Sequence, residues 1–270
     1  MLVKRILTAI VLIPLALAVL IYLPPLSFRY LTLFIVFGAA WEWARLLGLI
    51  SRRSCFLYSL LVIFTCFFAL SLRDVVVLGV GCVWWLMASL LIIFYPEDTS
   101  SWANIRIEKA AMGLFVLVPC WLAINFIRQQ TDGLYALLFL FVLIWGADSA
   151  AYFAGKICGK HKLAPRISPG KSWEGLIGAI CVSSLIVALA LWLASVPFML
   201  WPFAFLLSWI TVLFSIMGDL FESMIKRLAG VKDSGWLLPG HGGILDRIDS
   251  LTAAAPVFAF GAWLLGTYAN

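Results

Sequence analysis

Charge is scarce in this chain: Asp, Glu, Lys and Arg make up 12% of its 270 residues, while 64% are hydrophobic. A soluble fold of this size needs far more polar surface than that. Histidine is rarer still, with two residues, and none of the six cysteines forms a CxxC pair. That pattern argues against a zinc site or a disulfide framework. The cysteines, five of them inside apolar runs, read instead as small buried hydrophobes. Strict apolar/polar alternation is missing, which argues against a membrane β-barrel. Nothing in the chain is long and polar enough to form a soluble domain with a groove-reading element, so nucleic acid is not an expected partner.

What is present is a series of apolar runs of about 20 residues, the length that crosses a hydrocarbon core as helix. The expected fold is therefore all-α: a polytopic integral membrane protein of about nine transmembrane helices with a polar site facing the cytoplasm. The spans are placed near 6–23, 30–50, 55–72, 75–95, 110–127, 134–154, 174–195, 198–218 and 250–268. Residues 1–130 form the N-terminal helices and 131–270 the C-terminal catalytic region of one continuous membrane domain. The first run follows Lys4-Arg5 and contains Ala16-x-Ala18, as a cleaved leader would. Its length to Leu23 favours a retained helix.

Nine spans put the N-terminus and the loops near 51–54, 96–109, 155–173 and 219–249 on one side. Sixteen of the nineteen Lys and Arg fall on that side, counting Arg45 at that end of its span, and only Arg29, Arg73 and Arg128 fall on the other. The basic side is the cytoplasmic one. The net charge of +6 thus describes one surface, suited to anionic headgroups and anionic solutes.

Ionisable residues concentrate in two segments. In the first, Asp219, Glu222, Ser223 and Lys226 recur at i, i+3, i+4 and i+7, on one helix face with Arg227 beside it. Asp219 directly follows a long apolar run, where an acid is costly and normally functional. Beyond it come Lys232-Asp233, Pro239-Gly240-His241-Gly242-Gly243 and Asp246-Arg247-x-Asp249. Glycines there admit close approach of backbone N–H groups to a phosphate. Asp246 and Asp249 stand one helical turn apart, and with Asp219 they form a set of hard oxygen ligands suited to Mg²⁺. Two such ions about 3.5–4 Å apart, the second cation beside the first, can clamp an in-line displacement at phosphorus.

The second segment, 145–175, places Asp148 inside a span and follows it with Lys156, Lys160, Lys162, Arg166 and Lys171. The sequence Ser168-Pro169-Gly170-Lys171-Ser172 reads as a turn. It is no Walker A loop, because Pro165 stands where that motif needs glycine. Glu174 reads as an acid at a helix start, His161 as a surface residue, and Glu42 as an intramembrane acid that either reaches the site or faces Arg45. By themselves these charges point to metal-assisted phosphate chemistry at a cytoplasmic membrane face. A Mg²⁺-dependent phosphotransferase acting on a lipid carrier, or an ion-coupled transporter, remains an alternative at this level. The inverted repeats of the latter are not seen.

Residues 223–249 read Ser223-x-x-Lys226-Arg227-x4-Lys232-Asp233-x-Gly235-x2-Leu238-Pro239-x-His241-Gly242-Gly243-x2-Asp246-Arg247-x-Asp249. This run resembles the signature of the phosphatidate cytidylyltransferases, the CDP-diacylglycerol synthases. The segments WGADS, GKHKLAP and SPGKSWEG resemble the same family, so the likeness covers at least 145–250. It implies transfer of CMP from CTP to phosphatidate with release of pyrophosphate, Mg²⁺ dependence, homodimers among membrane lipids, and a bacterial inner membrane. On that reading Asp219 and Asp246 hold the metal, with Asp249 a further ligand or an orienter. Lys226, Arg227, Lys232 and Arg247 hold phosphates. His241, Gly242 and Gly243 line the triphosphate site, Ser223 and Asp233 belong to the substrate site, and Asp148 and Lys171 complete the pocket. No general base is required, because the attacking phosphate is already anionic.

Overall fold

A computed structural model describes residues 14–95, 106–236 and 242–266. Eight long helices are described: α1 Pro25–Leu46, α2 Arg52–Ala69, α3 Asp74–Ile93, α4 Arg106–Gln129, α5 Gly133–Cys158, α6 Trp173–Leu193, α7 Trp201–Leu228 and α8 Leu245–Leu264. Residues 14–22 are helical as well, and the remainder of the first expected span lies mostly outside the described residues. Among the described residues, six helices are long and apolar enough to cross a membrane: α2 to α7, the last of them extended by a 3₁₀ turn at Phe198–Leu200. Helices α1 and α8 carry Arg29, Glu42 and Arg45, and Asp246, Arg247 and Asp249. These two helices bring acids from opposite ends of the chain.

Large apolar side chains cover the outside. Phe34, Leu57, Phe64, Leu185 and Trp192 are all exposed. Such a surface is unstable in water and stable in lipid, as expected for a polytopic membrane protein. The buried centre is formed by α4 and α8, against which α1, α3 and α7 pack. Helix α8 is lined by small residues, with Ala253, Ala254, Ala255, Ala259 and Ala262 all buried, so neighbouring backbones come close. Pro256 interrupts its ladder. Without an N–H it leaves the Thr252 carbonyl without an intrahelical donor, and Trp85 Nε1 on α3 donates to that oxygen at 3.1 Å. Trp43 and Tyr58 similarly donate to the Lys109 and Ala110 carbonyls at 3.0 and 2.8 Å, fastening α1 and α2 to the start of α4. Phe221 of α7 sits among Trp43, Trp84 and Trp85, an aromatic cluster that packs α7 against α1 and α3.

Two expectations change. The segment after α5 is not a plain loop: β1 Lys162–Ala164 pairs antiparallel with β2 Ser168–Ser172. Its SPGKS run is strand rather than turn, because Ile167 is buried and anchors the hairpin tip. Cys158 and Cys181 are exposed, so only Cys55, Cys66 and Cys120 are buried as anticipated, with Cys82 partly so. The helix expected to carry Asp219 to Arg227 out of the eighth run is present, since α7 continues unbroken to Leu228.

The approach of α7 to α8 depends on Gly218. A Cβ there would run into the backbone carbonyl of Asp249 and the Cβ of Ala253. Bare glycine lets α7 and α8 touch at the level of Asp219 and Asp249. Gly218→Leu is expected to cost roughly 1–3 kcal/mol through overpacking, seen as a lower unfolding midpoint in detergent, and to reduce turnover with it. A variant with unchanged turnover would show that this close approach is not needed.

Candidate active site where four helices meet

Helix α7 is apolar up to Gly218 and then presents Asp219, Glu222, Ser223 and Lys226 along one face. The first turn of α8 faces it with Asp246 and Asp249. Helix α5 adds Asp148, and β2 adds Lys171. The two charged segments therefore meet: Lys171 Nζ lies 2.8 Å from Asp219 Oδ2 and donates to the Ile216 carbonyl at 3.2 Å. Ser223 Oγ donates to Asp219 Oδ1 at 3.3 Å, and Ser250 Oγ donates to Asp148 Oδ2 at 3.3 Å. Asp148, Asp219 and Asp249 are near enough to repel one another electrostatically.

The site has an inner and an outer part. Inside, Lys226 is buried and bridges two acids, with Nζ 2.6 Å from Asp246 Oδ1 and 3.0 Å from Glu222 Oε1. The Glu222 contact is an ion pair without hydrogen-bond alignment, and neither Glu222 oxygen has a hydrogen-bond partner. Asp246 Oδ2 accepts from Ser234 N, Ser234 Oγ and Gly243 N at 2.9, 2.9 and 2.8 Å. Burial by itself would push this carboxyl up, but donation from Lys226 and from the Gly243 and Ser234 N–H groups overrides it and holds Asp246 below the ordinary carboxylate range. Outside, Lys171 and Asp219 stay partly accessible, with side chains 22% and 32% exposed. Asp148 and Asp249 also keep accessible surface although protein crowds them.

The remaining expected residues divide. Arg227 is exposed and its Nε donates to the Ile167 carbonyl at 3.4 Å, tying α7 to the hairpin. Lys232, Asp233 and Arg247 are exposed on the rim. Gly242 turns the chain with φ +79°, where a Cβ would meet Asp246 Oδ2. The Gly243 N–H already serves Asp246, so Gly243 shapes the loop rather than offering that N–H to a phosphate. Asp246 and Lys226 are likewise filled by protein partners instead of opening outward, because each lies one turn inside the rim. His241 and the Leu238-Pro239 part of the motif lie outside the described residues. Glu174 contacts His161 Nδ1 at 2.7 Å, while Ser172 caps α6 by accepting from Gly175 N at 3.1 Å.

Two acids were not assigned a role from spacing. Glu222 was visible on the α7 face, but its burial depends on α8. Spacing leaves Glu42 between two roles, and in the structure it reaches Ser234, Ile244 and Leu245 and does not turn to Arg45. The signal for both was the cost of an acid in an apolar helix.

Among the described residues no three His, Cys, Asp or Glu side chains converge as a ready-made metal cage. Mg²⁺ seldom needs one, since one or two carboxylates plus substrate phosphates suffice. The donor set fits that mode. Asp148, Asp219, Glu222, Asp246 and Asp249 gather here, with Lys171 paired to Asp219 and Lys226 to Glu222 and Asp246, and among the described residues Glu222 Oε2 has no hydrogen-bond partner. An excess of negative charge in a poorly hydrated place calls for a cation.

Comparison with known proteins follows the same line. The cytidylyltransferase family model matches residues 3–265. The phosphatidate cytidylyltransferase of Pseudomonas aeruginosa is 43% identical over 268 residues, 98% of this chain and 98% of that protein. Those of Haemophilus influenzae and Staphylococcus saprophyticus are 42% and 35% identical over 187 and 196 residues; these cover 66% and 62% of this chain, and 65% and 74% of those proteins.

Proposed function

This chain belongs to the cytidylyltransferase family, and from that premise we infer that it is a phosphatidate cytidylyltransferase, making CDP-diacylglycerol and pyrophosphate from CTP and phosphatidate. The observation that carries the chemistry is the Lys171–Asp219 pair. It joins the two charged segments at one accessible place, beside the acids Asp148 and Asp249.

A phosphatidate oxygen attacks the α-phosphorus of CTP, and pyrophosphate leaves in line. We assign Asp219 and Asp249 as the carboxylates that hold Mg²⁺, with Asp148 beside them. When bound, the ion neutralises phosphate charge and polarises the phosphoryl oxygens. Lys171 is the accessible ammonium that meets a phosphate, with Arg227, Lys232 and Arg247 along the rim. Lys226 and Asp246 keep this set in register from within. Ser223 orients Asp219 through its hydroxyl. No residue needs to remove a proton, so the protein works by positioning and by charge stabilisation.

Phosphatidate keeps its tails in the bilayer while its headgroup meets a water-soluble nucleotide. The reading therefore places the site at the cytoplasmic face of a bacterial inner membrane, open sideways to lipid, in a nine-span chain that pairs as a homodimer. The exposed cations Lys160, Lys162 and Arg166 of the hairpin suit the anionic surface there. Purified protein in detergent with phosphatidate, radiolabelled CTP and Mg²⁺ is expected to give labelled lipid, and chelation to stop it. Absence of labelled lipid from folded protein would overturn the assignment.

A further inference from the structure

We propose that Glu42, from the first long helix, is a positioning residue that sets the site loop and the start of α8. It is buried, 6% exposed, and far from the site in sequence. Its Oε2 accepts from Ser234 Oγ at 2.9 Å and from Leu245 N at 2.8 Å, and its Oε1 accepts from Ile244 N at 3.0 Å.

Ile244 and Leu245 open α8, where backbone N–H groups have no partner within the helix. The cap residue Ile244 provides no side-chain acceptor. A carboxylate from α1 fills that place and sets a negative charge against the positive end of α8. The loop is shaped around it. A Cβ on Gly235 or on Gly243 would overlap the Glu42 carboxylate. One turn earlier on α1, a Cβ on Gly38 would overlap Ile244 Cδ1, so the same face of α1 receives the loop twice.

From Glu42 a continuous set of contacts reaches the reacting end. Ser234 gives its N–H to Asp246, and its hydroxyl lies between Glu42 and Asp246. Asp246 holds Lys226, and Lys226 holds Glu222, one turn beyond Asp219. Because Asp249 is one turn after Asp246, the depth and rotation of α8 that Glu42 sets also place Asp249 opposite Asp219. Glu42 touches no reacting atom in this scheme and acts through α8 and the loop.

The test uses the full chain in detergent and rests on the activity proposed above. Glu42→Gln keeps the volume but replaces one acceptor by a donor that faces a backbone N–H. Its unfolding midpoint is expected within a few degrees of wild type, with kcat/KM for CTP about 10- to 100-fold lower, the scale of a small misplacement of reacting groups. The loss is shared between a higher KM and a lower kcat, and trypsin is expected to cut faster after Lys232. Ser234→Ala, which removes one of the three contacts, falls between. Wild-type kcat and KM in Glu42→Gln overturn the proposal. So does a loss explained wholly by a smaller folded fraction with KM unchanged. If wild type itself makes no labelled lipid, the activity assignment fails instead, and unchanged trypsin cleavage in Glu42→Gln still decides against Glu42.

Discussion

Asp219→Asn is expected to lower CMP transfer roughly 100- to 1,000-fold, the scale lost with one preorganised electrostatic group, while the protein stays folded. Asp219 is the more open member of the acid pair, so its removal leaves no buried cation stranded. Lys171 keeps the Ile216 carbonyl as a partner. Repulsion with Asp148 and Asp249 falls at the same time, so the unfolding midpoint is expected to hold or rise slightly. The damage is electrostatic and local: fewer hard oxygens to share Mg²⁺ with the phosphates. Initial rates across a Mg²⁺ series check this, with Asp249→Asn in parallel. Both variants are expected to need more Mg²⁺ and to stay slow at saturation. Near wild-type turnover of Asp219→Asn at saturating Mg²⁺ would sink the ligand assignment.

Lys226→Met is expected to act on stability first. The methionine fills the stem of the lysine but removes the one cation between Glu222 and Asp246. Breaking a buried ion pair from one side strands the other charge, and costs roughly 3–5 kcal/mol. Thermal unfolding in detergent should show a clearly lower midpoint, with little folded enzyme left to assay. Adding Glu222→Gln removes one stranded charge and is expected to restore part of the loss, a coupling that separate contributions could not give. A Lys226→Met protein with the wild-type midpoint would mean that Lys226 faces outward to substrate, and the inner and outer parts of the site would have to be exchanged.

The same division explains how much was legible beforehand. Every apolar run of the sequence has a helical counterpart among the described residues, because length and apolarity are local properties. The Asp219–Lys226 face was legible because a helix repeats every 3.6 residues. The partnership of Lys226 with Glu222 followed the same i, i+4 spacing, but its partnership with Asp246 did not. Asp246 and Asp249 look equivalent in sequence, one turn apart. The structure separates them because the loop N–H groups of Ser234 and Gly243 reach only the first. A glycine pair there suggests a phosphate cradle, while the Gly243 N–H goes to Asp246 and its bare Cα makes room for Glu42. The hairpin at 162–172 was missed because three- and five-residue strands carry almost no periodic signal.

By itself the sequence determined that this protein lives in a membrane, which side chains carry its charge, and which reaction family they resemble, since all three rest on residue type and short spacing. Tertiary structure alone decided which charges of different elements meet. Lys171 finds Asp219 across two elements, Gly218 sets α7 against α8, and Glu42 closes the loop from the other end of the chain. The reason is physical: spacing specifies which side chains share a face, and only packing specifies what stands opposite that face.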